Sequence, residues 1–371
     1  MAQSKAKNTP GAKTPPEPSG SEPPPLSWAQ THLLDAHTLT ADEVETVLAE
    51  ARTFAEILNR PVKKVPLLRG KVIVNLFYEN STRTRTSFEL AGKYLSADTI
   101  NFSVDTSSVK KGETLIDTAQ TLMAMGIDAV VIRHASPGVP YQLAQFFGHR
   151  VSVLNAGDGM HEHPTQSLLD LYSMRQRLES VEGRKVVIVG DILHSRVARS
   201  NIHLLNKLGA DVHAVGPTTL LPTDLDKLGC TVHHQIEPAL QQADVVMCLR
   251  LQLERQQSGL IPSLGEYARL FGINRHRLMT YPKPNVLLMH PGPMNRGVEI
   301  TSDVADDPAV SLILNQVTSG VAIRMALLHL LIGHRDMVKQ PGLDVLGASG
   351  SPNDVLALAE AELQAGGPCN V

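Results

Sequence analysis

The sequence predicts an α/β protein built from two doubly wound parallel sheets joined by helices. Three observations support this fold class. The chain has 371 residues, which is more than one compact core usually takes and indicates two domains. Short apolar runs rich in β-branched residues alternate with segments of helical spacing. This alternation occurs twice along the chain, and repeated βα units are typical of parallel sheets with helices on both faces.

The composition is that of an ordinary globular protein. Its hydrophobic fraction is 42% and its formal net charge is −3, so the charge of the whole chain gives no argument for binding nucleic acid or a membrane. The three cysteines are too few for a disulfide framework and fit a reducing, cytoplasmic environment. We expect neither a secretory signal peptide nor an apolar run of transmembrane length.

Both ends of the chain differ from its centre. Residues 1–30 are rich in Pro, Ser, Gly, Lys and Glu, and we expect a disordered tail because few apolar groups cannot offset the entropy of ordering. Residues 336–371 are expected to form a weakly ordered tail. Between them we predict a first domain over 31–163, a second over 164–308 and a C-terminal helix over 309–335.

The first half begins with a helix and then alternates. Thr40 and Glu43 form a capping box that predicts a helix reaching about residue 59. Apolar runs predict strands over 71–77, 99–103, 128–133 and 151–155. Helical spacing predicts helices over 82–95, 113–125 and 138–147. A helix over 164–178, with Pro164 in its first turn, leads into the second half.

The second half repeats this alternation. Strands are predicted over 185–190, 211–215, 244–249 and 285–289. Helices are predicted over 196–208 and 263–271, followed by a long apolar helix over about 309–333. Ligands of doubly wound sheets bind beyond the carboxyl ends of the strands, so the residues after each predicted strand are the candidates for chemistry.

The strand-to-helix turn at residues 77–86, F-Y-E-N-S-T-R-T-R-T, carries the strongest functional signal. Free backbone N–H groups and the positive end of the helix dipole meet at such a turn, which favours a phosphate group. Ser81, Thr82 and Thr84 add hydroxyl donors, and Arg83 adds a planar cation. A plain helix cap is the better interpretation of a lone S-T-R, but four such donors at one turn favour a ligand site.

This motif resembles the carbamoyl-phosphate signature of the aspartate and ornithine carbamoyltransferases. The resemblance covers about residues 32–335, with six motifs in the family's order. It implies that the first domain binds carbamoyl phosphate, that the second binds the amino acid, and that the C-terminal helix crosses back to the first domain. It also implies a homotrimer with active sites shared between subunits, and it implies no cofactor.

Two further motifs of the first domain match this family. The segment S-x-x-x-K-G-E implies that Ser107 and Lys111 reach the active site of a neighbouring subunit, although a lysine in such a loop is more often only solvated. Arg133 ends a predicted strand, where an arginine is often a surface cap. The resemblance implies instead that it contacts the phosphate and the carbamoyl oxygen.

The run H-P-T-Q-S-L-L-D-L begins at His163, at the start of a predicted helix. The resemblance implies that His163 donates to the carbamoyl oxygen and that Gln166 accepts from the carbamoyl NH₂. His161 and His163 lack the H-E-x-x-H spacing that places two ligands on one helix face, so no metal site is predicted.

Two motifs of the second domain match the family's motifs for binding the amino-acid substrate. G-D-x-x-x-x-R-V implies that Arg196 binds a substrate carboxylate. The same segment lacks the G-x-G-x-x-G of a dinucleotide site. R-x-Q-x-E-R implies that Arg250 and Gln252 lie beside the amino-acid substrate.

The turn H-P-G-P after the last predicted strand implies that backbone carbonyls of Gly292 and Pro293 hold the carbamoyl NH₂. Arg296 follows it, and its role stays open between positioning this turn and a surface ion pair.

These motifs imply transfer of a carbamoyl group from carbamoyl phosphate to the α-amine of aspartate, on the route to pyrimidines. A tetrahedral oxyanion is implied to accept hydrogen bonds from Thr84, Arg133 and His163, while Arg83 and Lys111 complete the catalytic set. No metal, nucleotide or covalent intermediate is required by this chemistry.

Three alternatives are weighed against this reaction. An ornithine enzyme would be expected to have H-C-L-P near residue 290 and a lysine in place of Glu79. A non-catalytic scaffold homologue would usually have lost one of the strand-end cations. A dinucleotide oxidoreductase would need the missing glycine fingerprint. The sequence leaves open whether regulatory or dihydroorotase chains join a larger assembly.

Overall fold

The computed structural model describes three stretches of the chain, residues 27–103, 113–252 and 259–333. The predicted tail over 336–371 lies outside the described residues, and so does the predicted tail over 1–30 except for its last four positions. Ser107 and Lys111 also lie outside the described residues.

The first sheet contains four parallel strands within the described chain: β1 (Val72–Phe77), β2 (Asp98–Ser103), β3 (Ala129–His134) and β4 (Ser152–Asp158). Their order is β2-β1-β3-β4. Its helices are α1 (Ala41–Leu58), α2 (Thr82–Tyr94), α3 (Leu115–Ala124) and α4 (Val139–Phe147). The strands bury nearly continuous apolar runs, such as residues 129–132, because helices cover both faces of a parallel sheet.

The second sheet contains five parallel strands in the described part of the chain: β5 (Lys185–Val189), β6 (Asp211–Val215), β7 (Thr231–His233), β8 (Val245–Cys248) and β9 (Leu287–Met289). Their order is β7-β6-β5-β8-β9. The helices of this half are α5 (Pro164–Arg175), α6 (Arg196–Lys207), α7 (Ile236–Leu240), α8 (Leu264–Phe271), α9 (Arg275–Thr280) and α10 (Ser302–Ala305).

The last described helix, α11 (Ile313–Leu328), continues into a π-helical turn over His329–Gly333. It packs against α1, α2 and α5, which confirms that the C-terminal helix returns to the first domain. The stretch Ile313–Gly333 is long and apolar enough to cross a bilayer, whereas the sequence predicted no such run. Its apolar window is 72% buried, as is usual for the core helix of a folded domain, so it is weak evidence for a membrane span.

The predicted fold class is confirmed, and the differences concern short elements and the ends of helices and strands; β4, predicted to end at residue 155, reaches Asp158. The capping box that begins α1 is present, with Thr40 Oγ1 3.2 Å from the backbone N of Glu43. Four elements, β7, α7, α9 and α10, were not predicted because they have three, five, six and four residues, too few to show a periodicity. The predicted helix over 309–333 begins instead at Ile313. The domain limits drawn from the sequence remain a prediction.

Candidate active site

The carboxyl ends of β1, β3 and β4 face those of β5, β8 and β9 across a cleft, and most of the predicted site residues lie there. The turn after β1 leads directly into α2, with Ser81 as its N-cap. The Ser81 side chain makes no capping hydrogen bond, and the first turn of α2 contains no acidic residue. The helix itself therefore supplies neither a side-chain acceptor for the N–H groups at the start of α2 nor a negative charge for the positive end of its dipole.

Glu79 joins arginines from both sheets. Its carboxylate lies 3.0 Å from Nη2 of Arg133, at the end of β3, and forms an ion pair with Nη2 of Arg196, the first residue of α6. Arg196 also donates to the carbonyl of Gly159 at 3.0 Å, and Arg133 donates to the carbonyl of Ala156 at 3.1 Å. These contacts hold the two guanidinium groups together at the centre of the cleft.

Gly157 makes room for this pair of arginines. A Cβ at this position would lie 2.8 Å from Nε of Arg196 and 3.1 Å from Nη1 of Arg133. The backbone of Gly157 also has a φ of +114°, which side chains of L residues rarely allow. A glycine is thus required near the carboxyl end of β4, because a side chain there would displace the guanidinium of Arg196 and crowd that of Arg133.

Arg83 extends from the first turn of α2 to the turn after β9. A Cβ at Gly292 would overlap Nη1 of Arg83, so the guanidinium lies directly against the glycine backbone. Burial lowers the pKa of the neighbouring His290 against the opposing effect of Glu299, and the charges of Arg83 and Arg250 lower it further. Arg83 therefore connects the predicted phosphate turn with the predicted H-P-G-P turn.

His163 is the N-cap of α5 and is 3% exposed. Its backbone N–H donates to Oγ of Ser200 at 2.8 Å. Burial holds the pKa of His163 well below its usual range, and the charges of Arg133, Arg196 and Arg324 lower it further. The imidazole is consequently neutral at physiological pH and can donate a hydrogen bond to a substrate oxygen without carrying a charge.

The remaining predicted residues have different surroundings. Thr84 is buried in the first turn of α2, and Gln166 donates through Nε2 to Asp170 at 2.9 Å. Arg250 and Gln252 follow β8 at the same edge of the second sheet. Arg296 forms a two-pronged, largely exposed ion pair with Asp306, with both N–O distances at 2.7 Å. The surface ion pair is thus the arrangement that this structure adopts for Arg296.

Sequence reasoning missed three charged residues of the cleft. Glu79 was noted only as a mark against ornithine, and its bridging contacts depend on two distant segments. Asp170 and Arg324 are both deeply buried, at 0% and 4% exposure. A signal existed for Asp170 and Arg324, since a charged residue inside a largely apolar helix needs a partner or a function. Among the described residues, no group of three or more His, Cys, Asp and Glu side chains is arranged to hold a metal ion.

Two family profiles together match most of the described chain. The family profile of the aspartate/ornithine carbamoyltransferase carbamoyl-P binding domain matches residues 31–176, and that of the Asp/Orn binding domain matches residues 182–331. The aspartate carbamoyltransferase catalytic subunit of Gloeobacter violaceus is 55% identical over 319 residues, covering 83% of this chain and 97% of the relative.

Two solved structures extend the comparison to the fold. Aspartate transcarbamoylase from Trypanosoma cruzi, in complex with carbamoyl phosphate and aspartate, is 28% identical with a TM-score of 0.74 and covers 84% of this chain and 100% of its own. Ornithine carbamoyltransferase from Pyrococcus furiosus is 29% identical with a TM-score of 0.71 and covers 81% of this chain and 97% of its own. This chain belongs to the aspartate/ornithine carbamoyltransferase family.

Proposed function

We propose that this chain transfers the carbamoyl group of carbamoyl phosphate to the α-amine of L-aspartate, giving N-carbamoyl-L-aspartate and phosphate for pyrimidine synthesis. The observation that carries the proposal is the meeting of cations from both sheets in one cleft. Arg83 reaches across to Gly292, and Arg196 reaches back to Glu79. Catalytic subunits named for this activity are more than half identical to the chain, which favours the reaction over a non-catalytic role.

Carbamoyl phosphate would bind with its phosphate at the first turn of α2 and its carbamoyl group at the first turn of α5. Ser81, Thr82 and Arg83 are suited to the phosphate, since they combine hydroxyls, a cation and a helix N-terminus. Thr84, Arg133 and His163 are suited to the carbamoyl oxygen. The amide oxygen of Gln166 and the carbonyls of Gly292 and Pro293 would accept from the carbamoyl NH₂.

The reaction is an attack of the neutral α-amine of aspartate on the carbonyl carbon. A C–N bond forms, the carbonyl oxygen becomes an oxyanion, and the three donors named above stabilise its charge. The carbon–oxygen bond to the phosphate then breaks, and the departing phosphate takes up the proton of the amine. The protein contributes proximity and preorganised charge, since it must hold two anionic substrates together.

Aspartate would be held by Arg196, Arg250 and Gln252. Glu79 and the carbonyl of Gly159 hold the guanidinium of Arg196 at the cleft, and its planar fork suits the geometry of a carboxylate. Arg250 and Gln252 suit a second carboxylate, whereas the amine of ornithine would need an acidic partner, so aspartate is favoured over ornithine.

The assay is turnover of labelled carbamoyl phosphate with aspartate, with ornithine, and with a nicotinamide cofactor. We expect product only with aspartate, and the Arg250→Ala variant should lose most of that turnover while it still binds carbamoyl phosphate. Product with ornithine alone, or no product with any acceptor from folded protein, would overturn the proposal. Undiminished aspartate turnover in Arg250→Ala would remove the role given to this residue.

The assembly is proposed to be a cytoplasmic homotrimer, in which Ser107 and Lys111 of one subunit complete the site of its neighbour. Trimers of Arg83→Ala and of Lys111→Ala should each be nearly inactive. Random equal mixing should restore roughly a quarter of the sites, because one chain then supplies the arginine and the next supplies the lysine across a cyclic interface. No recovered activity despite confirmed subunit exchange would contradict shared sites.

Regulatory or dihydroorotase chains, if they join this assembly, would appear as additional protein bands when the assembly is purified from its native cell.

A further inference from the structure

Asp170 lies one turn after Gln166 on α5 and is completely buried. Its carboxylate accepts hydrogen bonds from three side-chain amides that belong to three helices. Oδ1 accepts from Nε2 of Gln166 on α5 at 2.9 Å and from Nε2 of Gln316 on α11 at 2.8 Å. Oδ2 accepts from Nδ2 of Asn201 on α6 at 2.9 Å. One carboxylate therefore joins three helices directly beneath the candidate site.

An ionised carboxylate can only accept hydrogen bonds, so each of these amides must turn its NH₂ toward Asp170. The opposite end of each amide is then a carbonyl oxygen. In Gln316 this oxygen accepts from the backbone N–H of His290 at 3.0 Å, at the start of the H-P-G-P turn. In Gln166 the oxygen accepts from no residue of the described chain, which leaves it available to an N–H group of a ligand.

We propose that Asp170 is a positioning residue for carbamoyl transfer, whose carboxylate fixes the amide of Gln166 so that its oxygen faces the carbamoyl NH₂. The proposal rests on the function proposed above and deepens it, because it identifies what makes the pocket select an amide. Through Gln316, the same carboxylate also holds the backbone at His290, which precedes the other predicted acceptors of the carbamoyl NH₂.

The charge near Asp170 favours the ionised form that this role requires. The guanidinium of Arg324, on α11, is 4% exposed, lies 5.0 Å from the ring centroid of Phe88 and attracts the carboxylate electrostatically. Burial raises the pKa of Asp170 to about 6, against the lowering effect of its three amide donors and Arg324. The group is therefore mostly ionised at neutral pH.

The test compares two ligands that differ in the amide. Phosphonoacetamide carries an amide joined to a phosphonate, whereas inorganic phosphate has no amide. In Asp170→Asn the new side chain has one oxygen and an NH₂ of its own, so it cannot satisfy all three donors and Gln166 loses its fixed orientation. We expect the Kd for phosphonoacetamide to rise about tenfold to hundredfold, while the Kd for phosphate stays within about twofold.

Asp244→Asn is the matched control, because Asp244 is also a buried carboxylate with several donors but lies at the opposite end of β5 and β8. It should leave both dissociation constants unchanged. In a cycle with Gln166→Ala, the double variant should lose clearly less phosphonoacetamide affinity than the product of the two single losses, and any loss beyond that of Gln166→Ala alone belongs to the route through Gln316. Equal weakening of both ligands by Asp170→Asn, or losses that simply multiply in the double variant, would overturn the inference.

A measurement on the wild-type chain covers the case in which Asp170→Asn fails to fold. The side-chain NH₂ of Gln166, labelled with ¹⁵N and assigned through Gln166→Ala, should exchange slowly with solvent and shift little when phosphonoacetamide binds. Fast exchange with a large shift would mean that the NH₂ faces the ligand and would contradict the proposal. Failure of carbamoyl transfer itself would appear separately, as absence of wild-type turnover with aspartate.

Discussion

Two helices begin at the candidate site, and their first turns differ in burial and in charge. At the start of α2, Thr82 and Arg83 are exposed, and the first helical turn contains a cation and no acidic residue. At the start of α5, every residue from Pro164 to Met174 is buried, and the N-cap His163 is kept neutral by its surroundings. The first turn offers charge beside solvent, and the second offers neutral hydrogen-bonding groups away from it.

This difference matches the two ends of carbamoyl phosphate. A phosphate dianion is attracted by cations and helix dipoles even in contact with water, although solvent screens part of the attraction. An uncharged carbamoyl group can be oriented only by hydrogen bonds, which are stronger and more selective where water is excluded. Under the proposed function, the two ends of one substrate would be recognised by different interactions, charge beside solvent for the phosphate and buried hydrogen bonds for the carbamoyl group.

The largest effect is expected from the exposed turn. Arg83→Ala should lower turnover by about 10²- to 10³-fold, since one preorganised cation is lost from the developing charge of the phosphate. Arg85→Ala is the matched control, because Arg85 lies on the same helix and acts on Glu89 rather than on the cleft. Steady-state kinetics with saturating aspartate measure both variants. Equal losses from the two variants would show that α2 needs only positive charge and not a placed guanidinium.

A smaller effect is expected where the two sheets are joined. Glu79→Gln leaves Arg133 and Arg196 without the carboxylate that holds them, so the KM for aspartate should rise roughly tenfold, in line with the loss of a charged hydrogen bond. The control is Glu89→Gln, which removes a carboxylate charge that is paired with Lys93 and hydrogen-bonded to Asn101 rather than to the two arginines of the cleft. An unchanged KM in Glu79→Gln would contradict the bridging role of this carboxylate.

The smallest effect on activity, but a distinct effect on stability, is expected just before α5. Glu162 is 2% exposed and hydrogen-bonds Ser200, and burial raises its pKa from 4.5 to about 7. Because the pKa of Glu162 is higher in the folded than in the unfolded state, its protonated form contributes stability at low pH. That contribution is fully present below pH 4.5 and is lost as the pH rises from 4.5 through about 7. Glu162→Gln should therefore gain about 2–3 kcal/mol in free energy of unfolding relative to wild type between roughly pH 5 and pH 8.

Denaturant unfolding at the two pH values measures this gain. The exposed Glu56 of α1 supplies the control, since Glu56→Gln should show no such difference between the two pH values. If the stability difference between Glu162→Gln and wild type were independent of pH, the carboxyl would not be as strongly desolvated as its burial indicates.

The sequence was sufficient to predict which residues lie together at the exposed first turn of α2. It was insufficient to predict the buried contacts around α5. Ser81, Thr82, Arg83 and Thr84 are adjacent in the chain, so their shared position at a strand-to-helix turn follows from local patterns alone. The role of Asp170 depends on amides from α6 and α11, which only tertiary packing brings to α5. Local periodicity contains no information about such pairings across helices.

The central claim is that α2 recognises the phosphate and α5 recognises the carbamoyl group. Titration calorimetry of inorganic phosphate and of carbamoyl phosphate against two variants tests it most directly. Arg83→Ala should weaken both ligands by a similar factor, whereas Gln166→Ala should weaken carbamoyl phosphate about tenfold and leave phosphate binding unchanged. Equal weakening of both ligands by Gln166→Ala, or phosphate binding that is unaffected by Arg83→Ala, would contradict the account.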